Sequence, residues 1–302
     1  MITTPTVLVL GAGASYPYGF PTAIELKRSI CDEFSSTNAT AIRLLSCLNA
    51  PEEFVKFREA FLKSGQPSVD AFLERRPEFL GVGKLAIAYC LIPLEDEAKL
   101  YQPTSSRGGD WYEYLSVKLN SSFEEFGENK LSIITFNYDR SLEHYLLNSL
   151  INLHGKTRDE CANALAQIPI VHVYGQLGAQ PYPQQGSRMY RSNEVKHPRY
   201  VETATAGIKL YHEEAETARA HELLRGAKRV CFLGFSYNPF NVARLNIGGS
   251  LDLSTFVFGT ARGLIGLELD DARGRLAEAI GGDIRLSDTD NLDILRRNIL
   301  LG

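Results

Sequence analysis

Asn137, Asp139 and His172 are the residues best suited to chemistry, and each leaves a strand-like stretch at its carboxyl end. The first two lie in LSIITFNYDRSLEHYL and the third in IPIVHVYGQLG. An imidazole titrates near neutrality, which suits His172 to accept a proton. An uncharged amide such as Asn137 can bond hydroxyls and water without adding charge. Each has an ordinary alternative. Asn137 suits an Asx turn at a strand end, Asp139 suits the N-cap of a helix over 141–149, and His172 suits a core or capping histidine. His154 has the more literal His-Gly dipeptide, in NLHGKT, but follows a helix rather than a strand. His144, His197, His212 and His221 match no motif and read as structural.

Two glycine-bearing turns frame these residues. VLVLGAGASYPYGFPT runs from a short apolar strand into Gly11 and Gly13, where the lack of a Cβ lets backbone amides approach a phosphate. FLGFSYNPFN places Gly234, Ser236 and Asn238 after another strand. Four strand ends thus offer small or polar residues to one crevice, and in α/β sheets ligands bind beyond the carboxyl ends of the strands. The dinucleotide fingerprint of hydride-transfer enzymes needs a third glycine where this chain has Tyr16. No acidic residue closes a second strand soon afterwards, so a dehydrogenase is disfavoured.

Strands are expected at 6–10, 131–136, 168–174, 207–212, 227–235 and 254–260, with LIGLELD (264–270) close behind. A helix is expected from Pro21 or Thr22 to about Phe34, and another from Ser141 to Ser149. Between 39 and 126 the apolar residues recur at three and four spacing (Phe54, Phe57, Phe61; Leu85, Tyr89, Ile92), a helical pattern without strand signals. Strands alternating with helices predict an α/β fold: a Rossmann-like parallel sheet flanked by helices, with an inserted helical module. The expected division is 1–36 with 127–302 for the Rossmann-like domain and 37–126 for the module.

The 302 residues are 44% apolar and 23% charged, ordinary for a folded domain. A net charge of -4 and a pI near 5.9 give no general attraction to nucleic acid, and no direct nucleic-acid binding is expected. Cys31, Cys47, Cys90, Cys161 and Cys231 are scattered, without a CxxC pair, which argues against a disulfide framework or a zinc ribbon; no metal is expected. No run of about 18 apolar residues is apparent, so no membrane span is expected and the reading is cytoplasmic. SRMYRSNEVKHPR (187–199) reads as a solvated basic loop. His212, Glu213 and Glu214 are adjacent and do not converge as metal ligands.

Taken together, GAGAS with GFPT, TFNYD, VHVYGQLG and GFSYNP resemble the ordered motifs of the sirtuin family, and more closely its bacterial branch of antiphage defence proteins. SVDAFLE (68–74) and DWYEYL (110–115) resemble that branch's helical insertion. The four-cysteine zinc module of sirtuin deacylases has no counterpart, and Thr22-Ala23-Ile24 stands where they have Asp-Phe-Arg. The resemblance implies an NAD hydrolase that cuts the nicotinamide–ribose bond to give ADP-ribose and nicotinamide, with NAD as substrate. It implies that His172 is a general base, that Asn137 holds the ribose hydroxyls and the attacking water, and that Asp139 meets the nicotinamide carboxamide. The turn of Gly11, Ala12, Gly13, Ala14 and Ser15 would meet the diphosphate, and Pro21 and Thr22 would also belong to the cofactor-binding set. Gly234, Ser236 and Asn238 would meet the phosphate or adenosine ribose, and 264–270 would flank the adenine. A free NADase would harm its host, so a homo-oligomer or a separate trigger subunit, of HerA-type ATPase or Argonaute-type, is expected. The alternatives are a non-catalytic NAD or ADP-ribose sensor and, with less support, a deacylase.

Overall fold

The computed structural model describes residues 1–35, 39–102, 109–191, 197–209, 214–252, 254–280 and 284–298. The first strand, β1 (Thr6–Leu10), is TVLVL and is buried at every position. A β-branched and leucine run of this length has no polar face to give to solvent, so it belongs in the middle of a sheet covered on both sides. The chain then turns through the short α1 (Ala12–Ser15) into α2 (Ala23–Glu33). Thr22 starts α2 with a capping box, its side chain accepting from the Glu25 amide while the Glu25 carboxylate accepts from the Thr22 amide.

A helical run follows: α3 (Ala39–Leu45), α4 (Pro51–Lys63), α5 (Val69–Arg75), α6 (Leu80–Leu91), α7 (Glu97–Leu100) and α8 (Trp111–Leu119). Phe54, Phe57 and Phe61 form one face of α4 and pack with Phe34, Phe72 and Phe79. The segment Pro77–Leu94, centred on α6, has a mean hydropathy of 1.4 over 18 residues. By length and composition that is enough to cross a bilayer, contrary to the expectation from the sequence. Half of it is buried, and α6 packs on α2, α4 and α11 (Pro198–Thr205) as a core helix.

The chain returns to the sheet with β2 (Leu131–Thr135), α9 (Ser141–His154), α10 (Arg158–Leu165) and β3 (Ile170–His172). After α11 come α12 (Glu214–Arg225), β4 (Arg229–Leu233), α13 (Pro239–Leu245), α14 (Ile247–Ser250), β5 (Phe256–Thr260), α15 (Leu267–Ile280), β6 (Ile284–Ser287) and α16 (Asn291–Asn298). The six strands are all parallel, in the order β3-β2-β1-β4-β5-β6. This is the doubly wound, Rossmann-like order, and its direction reverses between β1 and β4. One continuous apolar core runs from the sheet into the helical segment.

Two expected strands differ. In 207–212, Ile208 makes only an isolated bridge with Gly175, and 210–212 lie outside the described residues. In 264–270, the left-handed Gly263 and Gly266 form a turn, after which α15 begins. Leu269, Ala272 and Leu276 recur at helical spacing there, and Glu268 and Asp270 favour a helix start. The sixth strand is instead the short IRLS.

Candidate active site at the carboxyl edge of the sheet

The β1 turn is sealed against the end of β4. The Gly11 amide donates to the Leu233 carbonyl and the Gly13 amide to the Gly234 carbonyl, each at 3.0 Å. Gly234 is left-handed at φ +56°, and a Cβ there would lie 2.1 Å from the Gly13 carbonyl carbon. The Ala14 amide donates back to Gly11 at 2.8 Å. The amides of Gly13 and Ala14, expected from the sequence to meet a diphosphate, are therefore committed to protein carbonyls. From above, Asn291 of α16 donates to the Gly13 carbonyl at 3.0 Å, and the Trp111 indole donates to that of Ala14 at 2.8 Å.

On the other side of β1 the contacts are made by side chains. Asn137 follows β2, and its Nδ2 donates to the Gly11 carbonyl at 2.9 Å and to Ser15 Oγ at 3.1 Å. The first link needs both residues buried and adjacent, which the parallel register of Leu10 with Thr135 provides. Asp139 Oδ1 accepts from the Ser141 amide at 3.1 Å and from the Ser141 hydroxyl. Its carboxylate thus braces the start of α9 from the residue before the N-cap, which is Arg140, rather than as the N-cap expected from the sequence. Burial pushes its carboxyl above the usual range, against the lowering effect of the serine hydroxyls. Tyr112 extends the network by a hydroxyl contact of 2.7 Å with Ser141, and it stacks on Tyr18 with ring centroids 3.6 Å apart.

His172 ends β3 with both ring nitrogens engaged. Nδ1 lies 2.9 Å from the Asn137 carbonyl oxygen and Nε2 lies 2.6 Å from Glu143 Oε1 on α9. A carbonyl oxygen only accepts, and so does an ionised carboxylate. With Glu143 ionised, the ring must donate at both nitrogens and is an imidazolium. Burial favours the neutral ring, but the Glu143 carboxylate, its hydrogen bond and the Asn137 carbonyl outweigh it, and the His172 pKa is raised. In this arrangement the ring has no lone pair to offer as a base.

The pair forms part of the wall of an open cleft of about 240 Å³ beside the edge strand β3. Gln176, Tyr182, Gln184, Lys209, Glu216 and Arg219 complete its polar lining, and Asn137, Asp139 and the β1 turn are not part of that lining. His172, Asn137, Ser15, Gly11, Gly13 and Gly234 therefore form one chain of direct contacts across four strand ends.

The remaining sequence candidates do not join that chain. Asn238 accepts from the Phe240 amide at 2.9 Å and caps α13, and Ser236 is exposed. Thr22 is occupied in its capping box and Pro21 precedes it, half-buried. Gly155 caps α9 in the left-handed conformation, which explains the His154-Gly dipeptide. His197 caps α11, and His221 meets the Arg244 carbonyl at 2.8 Å; His212 and Glu213 lie outside the described residues. All five cysteines are free, and among the described residues no group of His, Cys, Asp and Glu is placed to hold a metal ion.

Sequence reading passed over two features. Glu143 stands in the first turn of α9, four residues after Asp139 in the loop that precedes the helix, where it reads as an ordinary helix-start carboxylate. The second is a buried Arg–Glu–Arg group. Arg140 Nη2 lies 2.7 Å from Glu95 Oε1, Arg188 bonds Glu95 Oε2, and Arg140 Nη1 donates to the Arg188 carbonyl at 2.6 Å. Arg188 and Tyr190 are buried, so the solvated loop expected over 187–199 is corrected at its start. Glu95 draws in Arg188, and Tyr190 stacks flat on His144 at 4.2 Å. Residues 192–196 of that stretch lie outside the described residues.

No family model matches the chain, and no curated protein matches it. Among solved structures, it is similar to a sirtuin from work on the structural basis of sirtuin substrate affinity, with a TM-score of 0.41 and 16% identity over 97% of this chain and 91% of that one. It is also similar to Sir2Tm bound to a propionylated peptide, with a TM-score of 0.39 and 16% identity over 97% of this chain and 90% of that one. The fold itself rests on the strand order and register: a six-stranded parallel, Rossmann-like sheet flanked by helices.

Proposed function

We propose that this chain is an NAD hydrolase that cleaves the nicotinamide–ribose bond to give ADP-ribose and nicotinamide. One observation carries the reading: His172 and Asn137, on adjacent strand ends, touch each other, and Asn137 touches the β1 turn beside the switch point of the sheet. That is where doubly wound folds bind nucleotides. Breaking the bond creates an oxocarbenium-like centre and expels a neutral ring, so the protein must hold the ribose, place a water and take one proton. In this reading the Asn137 amide exchanges its bonds to Gly11 and Ser15 for the ribose hydroxyls and the water, Asp139 meets the carboxamide, and the Glu143–His172 pair takes the proton. Gly11 to Ser15, with Gly234 and Ser236, border the rest of the dinucleotide. Because Gly13 and Ala14 already donate within the protein, the diphosphate is held after those bonds rearrange or by other donors.

In the same reading the enzyme is a regulated antiphage effector of the cytoplasm, a homo-oligomer or the partner of a HerA-type ATPase or Argonaute-type trigger. The test is to incubate the purified chain with NAD, alone and with a co-expressed neighbour, and to separate the products. Nicotinamide and ADP-ribose are expected, with Asn137→Ala and His172→Ala slower by about a hundredfold. Variants as fast as the parent would remove these roles. A second reading, a sensor that binds NAD without cutting it, is favoured by the committed ring nitrogens of His172. Saturable NAD binding by calorimetry with no nicotinamide released under any trigger would select it.

A further inference from the structure

We infer that Glu143, not His172, accepts the proton, and that His172 is a fixed cation that holds the Glu143 carboxylate in place. The inference deepens the hydrolase reading and rests on it for the substrate, whereas the charge on His172 is read from its two contacts and the charges around them. Nδ1 faces a backbone carbonyl at 2.9 Å, an acceptor that no change of protonation converts to a donor. Nε2 faces Glu143 Oε1 at 2.6 Å, the short separation of a charge-assisted bond. Beside an ionised Glu143, a neutral imidazole leaves one of these contacts as acceptor against acceptor. The cation satisfies both, and both residues are buried, so the cost of an unmet contact is not absorbed by solvent.

The alternative, a neutral ring beside a protonated Glu143, satisfies Nε2 and Nδ1 together only if the Glu143 proton points at Nε2. The surrounding charges do not favour it. Asp139 lies on the same loop as Asn137 and adds negative potential at the ring. The other charged and titratable residues lining the cleft are Lys209, Glu216, Arg219 and Tyr182, of which Lys209 and Glu216 pair at 3.4 Å. His172 is therefore the positive group opposite two buried carboxylates.

Glu143 lines the cleft, and His172 secures one of its oxygens. In the step, an O–H bond of the water breaks as its oxygen forms the bond to C1′ of the ribose. The bond from C1′ to the nicotinamide nitrogen breaks, and its electron pair neutralises the pyridinium. The proton passes to Glu143, whose charge goes from one negative to zero, and then leaves through the cleft. Water attacking a cationic carbon becomes strongly acidic, so a carboxylate is a sufficient base.

The two assignments predict opposite signs with pH. A His172 base must be neutral, so the rate would rise as pH passes upward through its raised pKa. A His172 that must be a cation gives a rate that falls there. The experiment is ¹⁵N NMR of the histidine rings in the full chain, for parent, Glu143→Gln and Glu143→Asp, beside pH–rate profiles with NAD. At about pH 7.5, above the ordinary imidazole value of about 6.5, both His172 nitrogens of the parent are expected to be protonated. Glu143→Gln is expected to return the ring to neutral and slow hydrolysis by about a hundredfold, and Glu143→Asp to restore part of both. A neutral His172 in the parent, or a rate that rises with pH through the His172 titration, would overturn the inference. A chain that never turns over NAD would defeat the hydrolase reading and with it Glu143 as acceptor, whereas the parent spectrum would still decide the charge on His172.

Discussion

At the ends of β1 and β4 the chain is closed by backbone against backbone, whereas at the ends of β2 and β3 it is held by side chains that titrate. The first seam has Gly11, Gly13 and Gly234 in contact with one another's main chain. The second has Asn137, Asp139, Glu143 and His172, all buried and all bonded. A glycine seam specifies shape and tolerates almost no added volume. A polar seam specifies charge and costs stability wherever a buried group is left without its partner. The comparison separates what the fold needs from what the chemistry needs.

The sharpest way to break it is Gly234→Ala. The new Cβ would stand 2.1 Å from the Gly13 carbonyl carbon and force a side chain into a left-handed residue at φ +56°. A loss on the order of 5 kcal/mol is expected, read by urea denaturation or as failure to recover folded protein. Gly226→Ala is the control, since a Cβ there meets nothing within 4 Å and should change stability by less than about 0.5 kcal/mol. Similar losses at the two sites would show that the seam is not tight.

Next is the buried ion group that joins the helical segment to the sheet. Arg140→Met keeps the apolar stem but leaves Glu95, itself fully buried, with Arg188 alone. Breaking one partner of such a group costs about 3–5 kcal/mol. Because Arg140 follows Asp139 directly, the same variant should also disturb the start of α9, and hydrogen exchange there should accelerate with the loss of stability.

A third test uses pH. His144 is held neutral: burial, against the pull of Glu97 and aided by Arg158 and Arg140, lowers its pKa to about 4. The unfolded chain therefore binds a proton between about pH 6.5 and 4 that the folded chain refuses, and stability falls as pH falls through that window. The shift corresponds to about 3 kcal/mol. His172 has the opposite sign: its raised pKa gives stability that is complete below about 6.5 and is lost as pH rises through the folded value. Denaturation midpoints at several pH values should show the acid-side slope in the parent and its loss in His144→Gln. A slope that survives the substitution would assign it to other groups.

The sheet was legible because parallel strands buried on both faces write continuous apolar runs, and five of the six appear as such. β6 escaped because four residues, IRLS, are too few to show a period. α15 was misread because its first apolar residues, taken without the flanking Gly263 and Gly266, look like one more strand. The cluster at the strand ends was legible at Asn137 and His172, where polar residues follow apolar strands, and not at Glu143, Arg140 or Glu95. Those three lie on or beside helices as ordinary charged residues. Only the fold reveals that Glu143 meets a histidine from a strand, and that Glu95 meets an arginine from another segment. At Asn238 and Thr22 the residue types suit a ligand and a helix cap equally, and in the fold both cap helices.

The smallest expected effect lies at Tyr190, where the side-chain seam is itself imperfect. Its ring is buried against His144 and within 5.9 Å of the Arg140 guanidinium, yet its hydroxyl has no hydrogen-bond partner among the described residues. Burial drives its pKa far above the ordinary phenol value, so the group stays a neutral O–H whose donor and acceptor are unused among the described residues. An unmet buried hydroxyl costs about 1–3 kcal/mol, and Tyr190→Phe removes that cost with almost no change in volume. The variant should therefore be more stable by about 1 kcal/mol, read as a higher denaturation midpoint with an unchanged slope. If the hydroxyl is retained for chemistry beside Asp139, the same substitution should slow NAD hydrolysis while it stabilises the fold, the trade expected of a functional group kept at a structural cost. Greater stability with full activity would make Tyr190 a packing residue, and lower stability would mean that the hydroxyl has a partner after all.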